Sequence, residues 1–436
     1  MSLGEPWPQT ARVNQSNHLE IGGCDLTELA HEFGTPLYVF DHATLIDRAV
    51  RTKKAFTALW ERSTILYATK AYFSPFLARF YRDLDLGLDV TSGAELEIAC
   101  RIGFSPAKIY VHGNNKTAAE LRKALAQGVR HFVVDNQDEI NLLAVIAGTL
   151  NVKPQVLVRV SPGIDPQTHQ YLKTGVVDSK FGMPISTGDA ARAVRDVLSD
   201  SHLEFVGLHA HVGSQIFEPE PIREAMSALL DFARTIEKRF GAQISELDIG
   251  GGWGVAYTEN ETSLTPETVA PALVSALKEG TGVEAKDWRL NVEPGRALVA
   301  QAGLALYTVG AVKKIQGVRT YVSVDGGMGD NIRPALYGAK YTARAANKFR
   351  DLPVMEAAIA GRYCEQGDVL INSVKLPAVH AGDLIAIPAA GAYQIPMASN
   401  YNLIPRPAVV LVGDGHATVL RRRETFNDML ACDVIE

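Results

Sequence analysis

The chain has 436 residues, 47% hydrophobic and 21% charged, and its 43 basic and 49 acidic residues leave a formal net charge of −6. Both signs are interspersed, which leaves no electrostatic footprint for nucleic acid or an anionic membrane, and the length suits one large domain with a smaller one. Cys24, Cys100, Cys364 and Cys432 form no CxxC pair, which argues against a zinc site or a disulfide framework and fits a reducing cytoplasm.

At the amino terminus, MSLGEPWPQTARVNQSNHLE lacks the charged-then-apolar pattern of a secretory signal. No apolar run approaches the ~18 residues of a membrane span, so a cytoplasmic protein is expected. TPLYVFD, residues 35–41, reads as a strand outside the repeat that follows. From residue 64 the chain repeats a short apolar run ending in a polar residue or glycine, then a helical spacing. The runs are TILYAT, GLDVT, IYVHG, HFVVD, QVLVRV, FVGLHAH, ELDIGG and RLNVEPG, starting at 64, 87, 109, 131, 155, 205, 246 and 289. SPFLARFYRDL, GAELEIACRIG, TAAELRKALAQG, QDEINLLAVIAG, DAARAVRDVL, REAMSALLDFARTIEKRFG and PETVAPALVSALKEG supply the helices between them. Eight such units predict a (β/α)8 TIM-like barrel, with a doubly wound open sheet as the alternative. After residue 300 short strands follow without helices, which predicts an antiparallel β domain. The expected organisation is therefore residues 1–45 packing with the carboxyl-terminal β domain, a barrel over 46–300, and the β domain over 301–436.

Barrel enzymes build their sites at the carboxyl ends of strands. Those ends carry Lys70, Asp89, His112, Asp135, Arg159, His209, His211, Gly250 to Gly252, Glu293 and Arg296. In LYATKAYFSP, Lys70 follows an apolar run and reads as a surface charge or a nucleophile. DIGGGWG, 248–254, is bare enough for an anion to approach its backbone N–H groups, or is a tight turn; it matches neither GxGxxG nor a Walker loop. In HAHVGSQ, His211 offers a flat stacking surface and Ser214 a hydroxyl for phosphate, while no third ligand follows at zinc spacing. VEPGR places Glu293 and Arg296 as an internal salt bridge, or as a carboxylate for a protonated heterocycle beside an anion-binding fork. A lysine for a Schiff base, a phosphate cradle, a stacking ring and a carboxylate for a pyridinium are together what pyridoxal 5'-phosphate requires.

YATKA, DVTSGAELEIA, VHGNNK, SKFG, HVGSQIF, DIGGGWG, EPGR, DGGMGDNIRPALY, CEQGDVL and GAYQIPMASNYN, in this order over residues 33–415, resemble the fold-type III pyridoxal-phosphate decarboxylases. The resemblance implies that Lys70 carries the cofactor, His211 stacks on its ring, and Glu293 pairs with the ring nitrogen. It implies that Ser214, Gly250, Gly251, Gly252, Gly295, Arg296 and Tyr393 surround the phosphate and that Asp89 lies near Lys70. It also implies a homodimer in which Cys364, the proton donor to the α carbon, and Glu365 come from the partner subunit, with no metal.

The distal end of the substrate selects among such enzymes, because a distal carboxylate calls for a cation and a distal ammonium is repelled by one. Arg333, Tyr337, Arg296 and Tyr393, with Glu365 for the distal ammonium, resemble the pattern that takes meso-2,6-diaminopimelate to L-lysine and carbon dioxide at the D centre. The alternative is a decarboxylase of another basic or diamino acid, of the ornithine, lysine, arginine or carboxynorspermidine kind. A racemase would be expected to lack Glu293, and a non-catalytic regulator would not need Lys70, Glu293 and Cys364 together. The chain departs from the common family pattern at Arg362, Gln366 and Gly329 and in QIPMAS, all in loops.

Overall fold

A computed structural model describes residues 3–164, 178–281 and 288–434. The chain forms two compact units, one of Ala49–Gly254 with Leu264–Ala297 and one of Met1–Arg48 with Val255–Ser263 and Leu298–Glu436.

In the first unit the eight predicted runs become eight parallel strands: Ser63–Ala68, Gly87–Val90, Ile109–Val111, His131–Val134, Gln155–Ser161, Glu204–His209, Glu246–Asp248 and Arg289–Val292. Each pairs with its sequence neighbour, and Leu290 of the eighth pairs with Ser63 of the first, so the sheet closes into a barrel. Closure removes the free edges that the open-sheet alternative would have kept. Leu66, Tyr110, Val133, Leu157 and Val206 form one apolar cluster contributed by five strands. Helices start where polar side chains satisfy orphan N–H groups: Ser74 caps Pro75–Asp83, Ser92 caps Gly93–Arg101, Asn136 caps Gln137–Leu150, and Thr117 with Glu120 makes a reciprocal capping box.

The second unit is built on the strand Gly303–Ile315, which pairs antiparallel with Arg319–Val324, Leu384–Ile387 and Leu37–Asp41. Its sheet is largely antiparallel, as the sequence predicted, with parallel pairings added to it. Leu37–Asp41 runs parallel to Ala408–Gly413, and Arg319–Val324 runs parallel to Met355–Ala360. The cause is connection length, since a tight turn forces an antiparallel pair while a long crossover permits a parallel one. The hairpin from Gly413 to His416 turns through Asp414 and Gly415, both at positive φ, the conformation a two-residue loop needs. Trp7, Leu19, Leu37, Leu304, Ala386 and Val410 belong to the core that ties the amino-terminal segment to this sheet.

Candidate active site

Every barrel strand delivers a polar residue to the same end. Lys70 follows the first strand in a short 3-10 turn, Thr69–Ala71, and its side chain is exposed there. Thr69 Oγ1 donates to the Asp89 carbonyl at 2.8 Å, which fixes that turn to the second strand. Asp89 is buried; burial raises its carboxyl to about 6, with His112 and Lys70 pulling it down and Glu293 pushing it up. Asp135 and Arg159 pair at 3.5 Å at the fourth and fifth strands, and Phe181 lies over the Arg159 guanidinium at 4.5 Å.

Glu293, after the eighth strand, lies between two histidines from opposite parts of the chain. His112 Nε2 is 2.9 Å from Glu293 Oε1, His209 Nε2 is 3.4 Å from Oε2, and the two imidazoles meet edge to face at 5.1 Å. The 2.9 Å approach is an ion-pair distance without hydrogen-bond alignment, so Glu293 Oε1 and His112 Nε2 keep buried capacity for a further partner. Burial works to raise the Glu293 carboxyl, but His112 and His209 outweigh it and hold it well below the usual carboxylate range. Burial pushes His209 down to about 4, so it stays neutral near pH 7. Asp248, fully buried at the end of the seventh strand, is driven well above the normal range by burial and then by Glu293. Burial and mutual repulsion push Asp248 up while the two histidines hold Glu293 down, so the two neighbouring carboxyls are shifted in opposite directions.

The DIGGGWG turn packs against the loop after the sixth strand with no room for side chains. A Cβ on Gly250 would meet His211 Nδ1 at 2.5 Å, one on Gly251 the Glu293 carbonyl oxygen at 2.2 Å, and one on Gly252 the Gly213 carbonyl oxygen at 2.0 Å. This contact explains three consecutive glycines as a close approach of backbones, and φ of +70° and +96° at Gly250 and Gly252 adds a conformational reason. Gly251 N–H donates to His211 Nδ1 at 3.2 Å, which fixes the ring tautomer and plane. Burial first, then the Lys70 charge, holds His211 well below its usual value, so the ring is a neutral face. Arg296 donates from Nη2 to Ser214 Oγ at 3.0 Å, joining two predicted phosphate ligands, and Gly295 packs against Ala68 and Ala71 beside Lys70.

The remaining predicted residues belong to the second unit. Arg333 is buried, hydrogen-bonded to the Tyr341 hydroxyl, with its guanidinium carbon 4.6 Å from the Tyr257 ring centre. Burial lowers its basicity, but the two facing phenols more than offset this and keep it charged. Tyr337 and Tyr393 are half-buried, and Tyr393 takes a positive φ of 60°, which a non-glycine residue seldom adopts away from a constrained site. Cys364 and Glu365 are exposed; the Cys364 N–H donates to Asn402 Oδ1 at 2.9 Å, and its carbonyl accepts from the Tyr401 hydroxyl at 3.3 Å. The sequence reading missed Tyr257, Tyr341 and Asp248 and gave His112 no role. Asp248 carried the same signal as the others, a polar residue ending a barrel strand, whereas Tyr257 lies far from Arg333 in the chain and carried none.

A buried carboxylate oxygen awaiting a donor, a neutral imidazole face, a lysine beside them and a paired serine and arginine next to an N–H-rich turn fit pyridoxal 5'-phosphate. The spacing of His112, His209 and Glu293, with ligand atoms within 4.8 Å of one another, would also suit a cation. Comparison with known proteins decides between these. The family of pyridoxal-dependent decarboxylases, by its pyridoxal-binding domain, matches residues 42–300. The chain is 43% identical over 426 residues to the diaminopimelate decarboxylase of Bacillus subtilis, covering 98% of this chain and 97% of that one. The chain belongs to the diaminopimelate decarboxylase family. Two solved structures of diaminopimelate decarboxylases with L-lysine are similar throughout. That of M. jannaschii has a TM-score of 0.92 at 33% identity, covering 98% of each chain. That of Helicobacter pylori has 0.86 at 32%, covering 93% of this chain and 98% of the other. The cofactor of this family is pyridoxal 5'-phosphate, and the barrel-end residues have the chemistry to hold it.

Proposed function

We propose that this protein decarboxylates meso-2,6-diaminopimelate at its D centre, giving L-lysine and carbon dioxide, the last step of lysine biosynthesis. The single observation that carries the choice of substrate is Arg333, a buried cation in a neutral aromatic setting, which suits a substrate with a carboxylate at its far end. Ornithine, lysine and arginine, decarboxylated at their own α carbon, bring only a cation to the distal end and no carboxylate for such a group to bind.

Bound pyridoxal phosphate supplies an electron sink for the pair left behind when carbon dioxide departs. The chain's own residues do the rest. Lys70 holds the cofactor through its amine. Glu293, kept anionic against its burial, keeps a proton on the ring nitrogen. His211, oriented by the Gly251 N–H, would stack on the cofactor ring, and Asp89 would sit on the Lys70 side of it. Ser214, Arg296, the glycine turn from Gly250 to Gly252, Gly295 and Tyr393 bind the phosphate. Arg333, Arg296, Tyr337 and Tyr393 bind the distal carboxylate, and Glu365 the distal ammonium.

We further propose a homodimer in which Cys364 serves the partner's site by protonating the α carbon. The exposure of Cys364 and Glu365, beside Tyr401 at 40% and Leu403 at 67% exposure, supports a surface offered to a second chain. All four cysteines are free and two are exposed, which suits a reducing cytoplasm. No helix among the described residues is long and apolar enough to cross a membrane.

The test is carbon dioxide release by the holoenzyme and its Arg333→Ala variant. Loss of the buried charge partner should lower kcat/KM for diaminopimelate by about a hundredfold. A variant as active as wild type on diaminopimelate would remove the basis for the substrate assignment.

A further inference from the structure

Arg333 is held by a buried polar chain that none of its sequence neighbours announces. Tyr341, 5% exposed, accepts from the Arg333 guanidinium, and its hydroxyl also accepts from Gln394 Nε2 at 3.0 Å. The two donors share this one oxygen, which ties the direction of the arginine to the rotamer of the glutamine. Gln394 is fully buried, and its Oε1 lies 2.8 Å from the Tyr38 hydroxyl, which fixes which end of the amide faces Tyr341. Tyr38 itself lies 3.1 Å from Asp330 Oδ2, in the same DGGMGDN segment that leads to Arg333, so the chain closes on itself. The Tyr257 ring, 4.6 Å from the guanidinium carbon, stands edge to face with Tyr341, centroids 5.1 Å apart at 83°. The Tyr257 ring limits the tilt of the guanidinium, and the Tyr341 hydroxyl, together with a hydrogen bond to Tyr257, limits its rotation. Among the described residues no carboxylate forms an ion pair with Arg333.

We propose that Tyr341 and Gln394 are positioning residues for substrate selection, fixing the direction in which Arg333 presents its remaining N–H donors to the substrate's distal carboxylate. This rests on the reading that Arg333 binds that group. A planar fork discriminates only when its orientation is set in advance, because a free arginine would spend part of its binding on ordering itself and would accept other anion geometries. Gln394 also follows Tyr393, a proposed phosphate ligand, so one short segment sets both the cofactor anchor and the selecting arginine.

The experiment uses holoenzyme of wild type, Tyr341→Phe and Gln394→Met. Calorimetry reads the affinity for L-lysine, which keeps the distal carboxylate, and for cadaverine, the same diamine chain without it. Steady-state kinetics read KM and kcat for diaminopimelate. Tyr341→Phe keeps the ring and removes the shared hydroxyl, so it should weaken L-lysine and raise KM by about tenfold, with kcat within about threefold and cadaverine unchanged. Gln394→Met should move the same quantities in the same direction by a smaller factor, and it decides the matter if Tyr341→Phe does not fold. Unchanged discrimination between lysine and cadaverine in the variants, or equal weakening of both ligands, would overturn the positioning role. Wild-type enzyme that binds cadaverine as tightly as lysine would instead overturn the reading of Arg333 itself.

Discussion

Gly251→Ala is the most demanding prediction, because it alters no functional group. The added Cβ would stand 2.2 Å from the Glu293 carbonyl oxygen, 2.8 Å from its carbonyl carbon and 3.3 Å from the Pro294 nitrogen. The first distance is more than about 1 Å short of an ordinary contact between heavy atoms. Its neighbours are backbone atoms, and the segment is tied back by the Glu293 N–H donating to the Gly250 carbonyl at 2.8 Å, so no flexible side chain can swing aside. The turn and the end of the eighth strand must therefore separate by about 1 Å, carrying the Glu293 carboxylate with them. Overpacking of this kind costs about 1–3 kcal/mol of stability, and a displacement of about 1 Å in a positioned group costs about a hundredfold in rate. The assay pairs chemical denaturation with the dissociation constant of pyridoxal phosphate and kcat on diaminopimelate. Gly310→Ala, whose Cβ would meet nothing nearer than Ser323 O at 3.9 Å, is the control and should be silent in all three. A Gly251→Ala enzyme with wild-type cofactor affinity and turnover would refute the argument that this backbone contact positions Glu293.

Three further outcomes are expected. Lys70→Ala should abolish both the absorbance band of the lysine-bound cofactor and turnover, and an unchanged spectrum would dismiss Lys70 as the attachment point. His209 is neutral in the fold down to about 4, whereas in the unfolded chain it takes a proton near 6.5, so acidification through that window favours unfolding. Its contribution, about 3 kcal/mol, is lost as pH falls from 6.5 to 4; Asp89, raised to about 6, acts in the opposite sense over part of that range. The test is therefore the difference between wild type and His209→Gln in the cofactor-free protein, where the variant should lose less stability on acidification and parallel curves would contradict the assignment. At the opposite end of the barrel, Glu246 takes hydrogen bonds from Arg289 at 2.8 Å, Tyr110 at 2.9 Å and Asn291 at 3.2 Å. Glu246→Ala should lower stability by about 3 kcal/mol while the folded enzyme keeps its kcat, read by a urea midpoint beside an activity assay; lost turnover in folded protein would refute a purely structural role.

The barrel was legible because each of its strands is a continuous apolar run that ends abruptly in a polar residue, a pattern imposed by burial on both faces. The strands of the second unit were legible one by one, from TPLYVFD to HATVLRR, but their directions were not. Leu37–Asp41 lies parallel to a partner some 370 residues away, and no local signal encodes that. The same limit applied to the site. Lys70, Glu293 and the glycine turn announce themselves through strand-end chemistry. His112 and His209 were both legible as strand-end residues, but their meeting at Glu293 was not, because spacing in the chain has no fixed relation to spacing across a closed barrel. Along HAHVGSQ alone no third ligand follows, whereas the groups that meet, His112, His209 and Glu293, come from three strands. Tyr257 and Tyr341 were hidden for a similar reason, since an aromatic residue in a loop reads as packing until the cation it faces is known.

The central claim is tested most directly by identifying the product. Purified protein with pyridoxal phosphate is incubated separately with meso-diaminopimelate, ornithine, lysine and arginine, and each mixture is analysed by mass spectrometry. L-Lysine formed from diaminopimelate, with no diamine from the other three, is the predicted result. Putrescine, cadaverine or agmatine formed while diaminopimelate is left untouched would contradict it, keeping the barrel and the cofactor but reversing the role given to Arg333.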